Sequence, residues 1–252
     1  MGRLNNRVAI VTGAAQGIGA AYAKAMAAEG ASVVVADRDN GQQVVDEIIK
    51  GGGTAINIVT DVSDETSCKA MAAQTIDAFG RIDILVNNAA LFGHLDAKPF
   101  EEISVDEWDA LMAVNVRGVF VAIKSVTGQM RKQQYGKIIN IASGTLFKGT
   151  PMLLHYVTSK GAVLAMTRCI SREVGDDNIC VNTLAPGLVM SENVLARDTF
   201  SDAGVDANTE TRALKRRQMP EDLTGAMIFL ASADSDFMTG QCVVVDGGSV
   251  NN

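Results

Sequence analysis

Histidine occurs only twice in the 252 residues, at His94 and His155, proline four times and tryptophan once. Two imidazoles are too few for a histidine-built metal centre with three or four ligands, so no metal site is expected. The four cysteines, Cys68, Cys169, Cys180 and Cys242, are scattered and form no Cys-x-x-Cys pair. That spacing argues against a disulfide framework and reads as buried, reduced thiols in a reducing compartment. Basic residues are outnumbered, 22 Lys and Arg against 29 Asp and Glu, for a net charge of -7. A surface of that sign argues against nucleic acid as the main partner. The run Lys215-Arg216-Arg217 then reads as a solvated helix face. Residues 1–7 show no charged-then-apolar leader, and no apolar run approaches the ~18 residues that suggest a membrane span. The expectation is a soluble, cytoplasmic protein.

The chain is rich in apolar residues (47%) and glycine (24 residues), which suits a large core crossed by many tight turns. Val8-Ala9-Ile10-Val11-Thr12 is β-branched and uninterrupted, as a central strand buried on both faces should be. It runs into Gly13-Ala14-Ala15-Gln16-Gly17-Ile18-Gly19 and an alanine-rich helix. Strand, glycine turn and helix in that order make a phosphate cradle, because the helix start offers free amides and a positive dipole end. The second strand, from Ser32 to Ala36, ends at Asp37, about 20 residues past the glycines. A carboxylate there accepts hydrogen bonds from the adenosine ribose and favours NAD. Arg38, next in the chain, could instead pair with the 2′-phosphate of NADP.

The alternation continues. A third strand from Ala55 to Thr60 leads to Asp61 and Val62, and Asp61 suits either an adenine edge or an N-cap, a role Ser63 or Asp64 could also fill. A fourth, Ile82 to Val86, leads to Asn87-Asn88-Ala89-Ala90, where Asn88 could touch a cofactor or tie strands together. A loop holding His94 and Pro99 precedes a long helix capped by Ser104. Asn115 lies inside that helix, a poor helix former whose cost suggests a side-chain role, such as holding a water near Lys160, or a kink. Strands from Ile179 to Leu184 and from Gln241 to Val245 complete the set. The expected fold is a Rossmann-type, doubly wound α/β domain covering 1–252, its mostly parallel seven-stranded sheet flanked by helices on both faces. A closed (β/α)8 barrel is the alternative on length, but fits the early glycine cradle less well. The stretch 188–219 lacks clean periodicity apart from helical candidates at Glu192–Arg197 and Glu210–Arg217, and such a long insertion after a strand reads as a substrate lid.

The chemistry concentrates between Ser143 and Lys160. Ser143 follows the apolar run Ile138 to Ala142, Tyr156 comes thirteen residues later and Lys160 four beyond it. On a helix from about Leu153, Tyr156 and Lys160 share one face. A neighbouring ammonium should lower the phenol's reference pKa of about 10 and make it a usable general base or acid. Ser143 can hydrogen-bond the same substrate oxygen.

Thr12-Gly13-x-x-x-Gly17-Ile18-Gly19, Asn87-Asn88-Ala89, Asn115, Ser143, Tyr156-x-x-x-Lys160, Pro186-Gly187 and Asp246-Gly247-Gly248 together resemble the short-chain dehydrogenase/reductase family over nearly the whole chain. The resemblance implies a catalytic tetrad of Asn115, Ser143, Tyr156 and Lys160. It implies NAD contacts from Gly13, Gln16, Gly17, Ile18, Asp37, Asp61, Val62, Asn88, Tyr156, Lys160, Val189 and Ser191, and a homotetramer. Ala90 replaces the usual glycine of Asn-Asn-Ala-Gly, and Ser191 stands where threonine is usual. The implied activity is NAD-dependent interconversion of a secondary alcohol and its carbonyl. Ser143, Phe147, Met152, Leu153 and Tyr156 are the expected substrate contacts, and the apolar Gly144–His155 segment favours a cyclic or aromatic small molecule. His155 is expected to pack beside Tyr156, and Lys148 either to meet a substrate carboxylate or to be solvated. The alternatives are an NADP-dependent carbonyl reductase and, with the catalytic set complete, less favourably a non-catalytic dinucleotide-binding protein.

Overall fold

A computed structural model describes residues 2–92, 95–195 and 202–250. His94 lies outside these, as does the end of the helix candidate Glu192–Arg197. In chain order the elements are β1 (Val8–Thr12), α1 (Gly17–Ala28), β2 (Ser32–Asp37), α2 (Gln42–Lys50), β3 (Thr54–Val59), α3 (Glu65–Phe79) and β4 (Ile84–Asn87). Then come α4 (Val105–Met112), α5 (Val119–Gln133), β5 (Gly136–Ile141), α6 (Thr145–Lys148) and α7 (Leu154–Glu173). The last are β6 (Ile179–Pro186), α8 (Glu192–Leu195), α9 (Asp202–Glu210), α10 (Glu221–Ala231) and β7 (Cys242–Val245).

The seven strands form one sheet in the order β3-β2-β1-β4-β5-β6-β7, and every pairing is parallel rather than most of them. Alternation along each strand divides the core in two. Ala9, Val11, Val33, Val35, Val86 and Ile139 face one layer with residues of α1, α2 and α10. Ile10, Val34, Leu85, Ile138 and Val181 face the other, with α3, α5 and α7. Burial on both faces explains why these strands read as continuous apolar runs. The chain moves outward from β1 to β3, then returns to β4 on the other side of β1. The strand order therefore reverses between β1 and β4, and a crevice opens at their carboxyl ends.

Several local expectations are corrected. The lid helix lies at Asp202–Glu210 and not at Glu210–Arg217. Leu214 N is drawn instead to the Gly247 carbonyl at 2.9 Å, and Arg212 N closes a turn on Thr209. Lys215, Arg216 and Arg217 form no helix face; they pair with Glu210, Asp222 and Asp206. Among the N-cap candidates Asp61, Ser63 and Asp64 left open by the sequence, Asp64 caps α3 by accepting from Thr66 N at 3.0 Å. All four thiols are free, but Cys169 is exposed.

The long helix runs from Val105 to Gln133, and by length and composition it could cross a bilayer. The sequence suggested no such run. Here the helix packs into the core, burying Val119, Val121, Ala122, Ile123, Val126 and Met130. Its middle, Ala113–Gly118, is a π-helical turn with Asn115 fully buried in it. The irregularity at Asn115 is a π bulge, a feature frequent at functional sites.

Candidate active site

The cradle after β1 depends on missing side chains. Gly13 has φ +64°, and a Cβ there would come within 2.7 Å of Ala89 Cα. A Cβ on Gly19 would meet the Gly13 carbonyl oxygen at 2.1 Å. No side chain caps α1 at Gln16. Its first amides are therefore left for an anion, with the helix dipole behind them. Asn88 holds the turn by donating from Nδ2 to the Thr12 and Gly13 carbonyls at 3.0 and 2.9 Å. At the β2 end, Asp37 accepts from Ala15 N at 2.9 Å and from Asp39 N at 3.0 Å. Hydrogen bonds from Ser63, then the Arg38 charge, hold the Asp61 carboxyl below its ordinary range.

Ser143, just past β5, lies opposite α7, which carries Tyr156 and Lys160. All three are buried. The Ser143 oxygen accepts from Thr145 N at 3.2 Å and Thr145 Oγ1 at 3.0 Å. With both lone pairs occupied, its proton is free to donate, and Ser143 favours the ionised form of the Tyr156 phenol. Lys160 Nζ donates to the Ile141 carbonyl at 2.8 Å and stands 5.6 Å from the Tyr156 ring centre. Phe92 packs on that ring at 4.7 Å. Asn115 exchanges hydrogen bonds with the Leu91 backbone and donates to Ser159 Oγ at 3.2 Å, while Ser159 donates to the Tyr156 carbonyl at 2.7 Å. Asn115 therefore braces the loop after β4 against the turn that carries the phenol.

The expected acidic phenol is not found in these surroundings. Burial pushes Tyr156 up to about 12, against the opposing pull of Ser143, and pushes Lys160 down to about 8. Loss of hydration penalises the charged form of each group.

One cavity of about 460 Å³ connects the cradle to the phenol. A family model described as enoyl-(acyl carrier protein) reductase matches residues 13–250. A short-chain dehydrogenase/reductase of Hericium erinaceus, eriH, is 38% identical over 97% of this chain and 98% of its own. The chain belongs to the short-chain dehydrogenase/reductase family. Another member, the (2S)-[(R)-hydroxy(phenyl)methyl]succinyl-CoA dehydrogenase subunit BbsD of Thauera aromatica, is 36% identical over 97% of both chains. A crystal structure of a gluconate 5-dehydrogenase from Burkholderia cenocepacia, in complex with NADP and tartrate, superposes with a TM-score of 0.90 at 34% identity, covering 98% of this chain and 96% of that one. This short-chain dehydrogenase/reductase is accordingly an oxidoreductase of alcohols and carbonyls that uses a nicotinamide dinucleotide.

Within this family member, Gly13, Gln16, Gly17, Ile18, Asp37, Asp61, Val62, Asn88, Tyr156, Lys160, Val189 and Ser191 all line the one cavity, with Ser143 and Leu153. Ser191 faces Gly17, where a Cβ would lie 3.6 Å from its own. Val189 is fixed by a parallel bridge to Gln218. Asn115 stands behind the wall rather than on it, and its hydrogen bonds go to Leu91 and Ser159. Phe147 and Met152, expected against the substrate, are not on the cavity wall, and Met152 is 44% exposed. The single turn of α6 presents Thr145 and Lys148, three apart, and so directs Phe147 elsewhere. His155 is fully buried beside Tyr156, its Nε2 3.3 Å from Glu107 Oε1. Sequence reasoning placed Thr145 in the segment walling the pocket but missed its hold on Ser143, although a Ser-x-Thr spacing just past a strand is the signal of a local hydroxyl turn.

Proposed function

We propose that residues 1–252 act as one dinucleotide-binding and catalytic unit, interconverting a secondary alcohol and its carbonyl with NAD, with 188–219 closing over the substrate. The observation that carries this is a single cavity running from the glycine cradle, past Asp37, to a phenol flanked by Ser143 and Lys160. The cradle fits a dinucleotide because Cβ atoms at Gly13 and Gly19 would collide with backbone. Asp37, Asp39 and Asp61 gather at the adenosine end and oppose a 2′-phosphate, while the Arg38 charge is directed at Asp61.

A bound nicotinamide supplies the carbon that accepts or gives the hydride. Tyr156 then handles the proton at the substrate oxygen. In reduction the protonated phenol, favoured by burial, donates to that oxygen; in oxidation its phenolate takes the hydroxyl proton. Ser143, its lone pairs occupied by Thr145, donates to the same oxygen and stabilises the charge that develops there. Lys160 places a positive charge beside the phenol and can hold the ribose, and the opened turn at Asn115 offers a place for a water leading towards it. Phe92, Leu153, Leu188 and Val194 give the substrate an apolar wall, in keeping with a cyclic or aromatic body. The free thiols suit a reducing cytoplasm, and exposed Val105, Phe120 and Phe237 suit the subunit contacts of a homotetramer.

Arg38 on the cavity wall, and NADP in the Burkholderia structure, favour a second reading with NADP as cofactor. Turnover of a panel of cyclic and aryl ketones and alcohols with NADH or NADPH, and NAD or NADP, tests both. In the same assay Tyr156→Phe should lose about a thousandfold or more of kcat while NADH binding, read by fluorescence, persists. Full activity in that variant refutes the mechanism.

A further inference from the structure

Proton handling uses Lys160 but leaves a second cation on the same cavity wall without a task. Lys148 ends α6 and lines the cavity together with Ser143 and Tyr156. Its Nζ donates to Thr211 Oγ1 at 3.3 Å and to Ser249 Oγ, and among the described residues it has no acidic partner. Lys98, Arg216 and Lys215, by contrast, carry ion pairs to Glu107, Asp222 and Glu210. Asp246, an acid on the same wall, gives its oxygens to the amides of Gly248, Ser249 and Val250, each at 3.0 Å.

The ammonium is thus aimed by hydroxyls from two separate segments of chain, and neither cancels its charge. A second donor lies on the same wall. Asn208 accepts from Arg212 Nη2 through Oδ1 at 3.1 Å, which leaves its Nδ2 hydrogens to donate elsewhere. A point charge and an amide donor on the wall that also carries the phenol form a site for an oxygen anion on the substrate. Fixing that anion would align the carbinol carbon with the phenol.

We propose that Lys148, assisted by Asn208, binds a carboxylate carried by the substrate, so that this enzyme's alcohols are hydroxy acids and its carbonyl compounds oxo acids. The proposal rests on the alcohol–carbonyl reading given above and adds the substrate's charge.

The test compares 4-oxo-4-phenylbutanoate and 3-oxocyclohexane-1-carboxylate with their primary amides, using NADH or NADPH as the panel dictates. The acids should show kcat/KM at least ~10-fold above the amides, since a hydrogen bond to a charged group discriminates by about 10- to 100-fold. In Lys148→Gln, which keeps a donor for Thr211 and Ser249, the acid-to-amide ratio should fall towards one, mainly through KM. Lys148→Arg should restore much of it. Unchanged thermal unfolding and NADH binding in Lys148→Gln separate this effect from a damaged fold. Amides turned over as well as acids, or a ratio unmoved by Lys148→Gln, overturn the carboxylate site and leave the oxidoreductase reading intact. Failure of every acid, amide and neutral alcohol with both cofactors overturns that reading and this one with it.

Discussion

Replacing Lys160 with methionine should destroy activity and stabilise the fold. Lys160 is 4% exposed, and burial lowers its pKa from 10.5 to about 8. At neutral pH the ammonium is therefore held in the fold at a cost of about 3 kcal/mol relative to the unfolded chain. Methionine fills a similar volume without charge, but leaves the Ile141 carbonyl without the donor it has at 2.8 Å, which costs about 1–3 kcal/mol. The balance is a gain of about 1 kcal/mol, or ~2–4 °C in Tm for a chain of this size. The pH dependence carries the sign. As pH rises through about 8, the folded-state amine loses its proton while the unfolded one keeps it until about 10.5. Wild-type stability therefore recovers across that window, Lys160→Met shows no such term, and the gap should close. Thermal melts of both proteins from pH 6.5 to 9.5, with circular dichroism to confirm reversibility, measure it. A variant less stable than wild type at pH 7, by a margin that does not change with pH, refutes the reasoning.

Thr145→Val removes one of the two donors that orient the Ser143 hydroxyl, so kcat should fall about 3- to 10-fold with cofactor affinity unchanged, and Thr145→Ser should restore it; steady-state kinetics decide. Asp37→Ala should lower kcat/KM with NADH by about 10-fold or more and improve that with NADPH, and an unaltered preference would remove the carboxylate from cofactor choice. Fully buried Asp83 accepts from Val8 N and from the Arg7 and Arg81 guanidiniums at 2.6–3.0 Å. Asp83→Ala should therefore cost about 2–4 kcal/mol in urea unfolding, softened because both arginines reach solvent.

Features that depend on neighbours along the chain are legible in the order of residues alone. The glycine spacing at 13, 17 and 19 declares a turn only small residues can make, and four-residue spacing puts Tyr156 and Lys160 on one helical face whatever surrounds them. Alternating strands and helices likewise imply a doubly wound sheet, because parallel strands need crossovers. Ser143 belongs to this class too, as the residue at the end of an apolar strand.

The proton affinities of that same pair are not legible there, because burial is a property of the packed molecule: inside it Tyr156 rises to about 12 and Lys160 falls to about 8. Nor can spacing alone show that Phe147 turns away from the cavity while Lys148, one residue on, faces it and meets Thr211 and Ser249. Asn115 announces itself by its poor helix propensity, yet its partners Leu91 and Ser159 lie 24 and 44 residues away. Local geometry is set by bonds between successive residues and is written in the order of the chain; solvation and distant contacts arise only when segments meet, and those decide which face of each motif the chemistry can use.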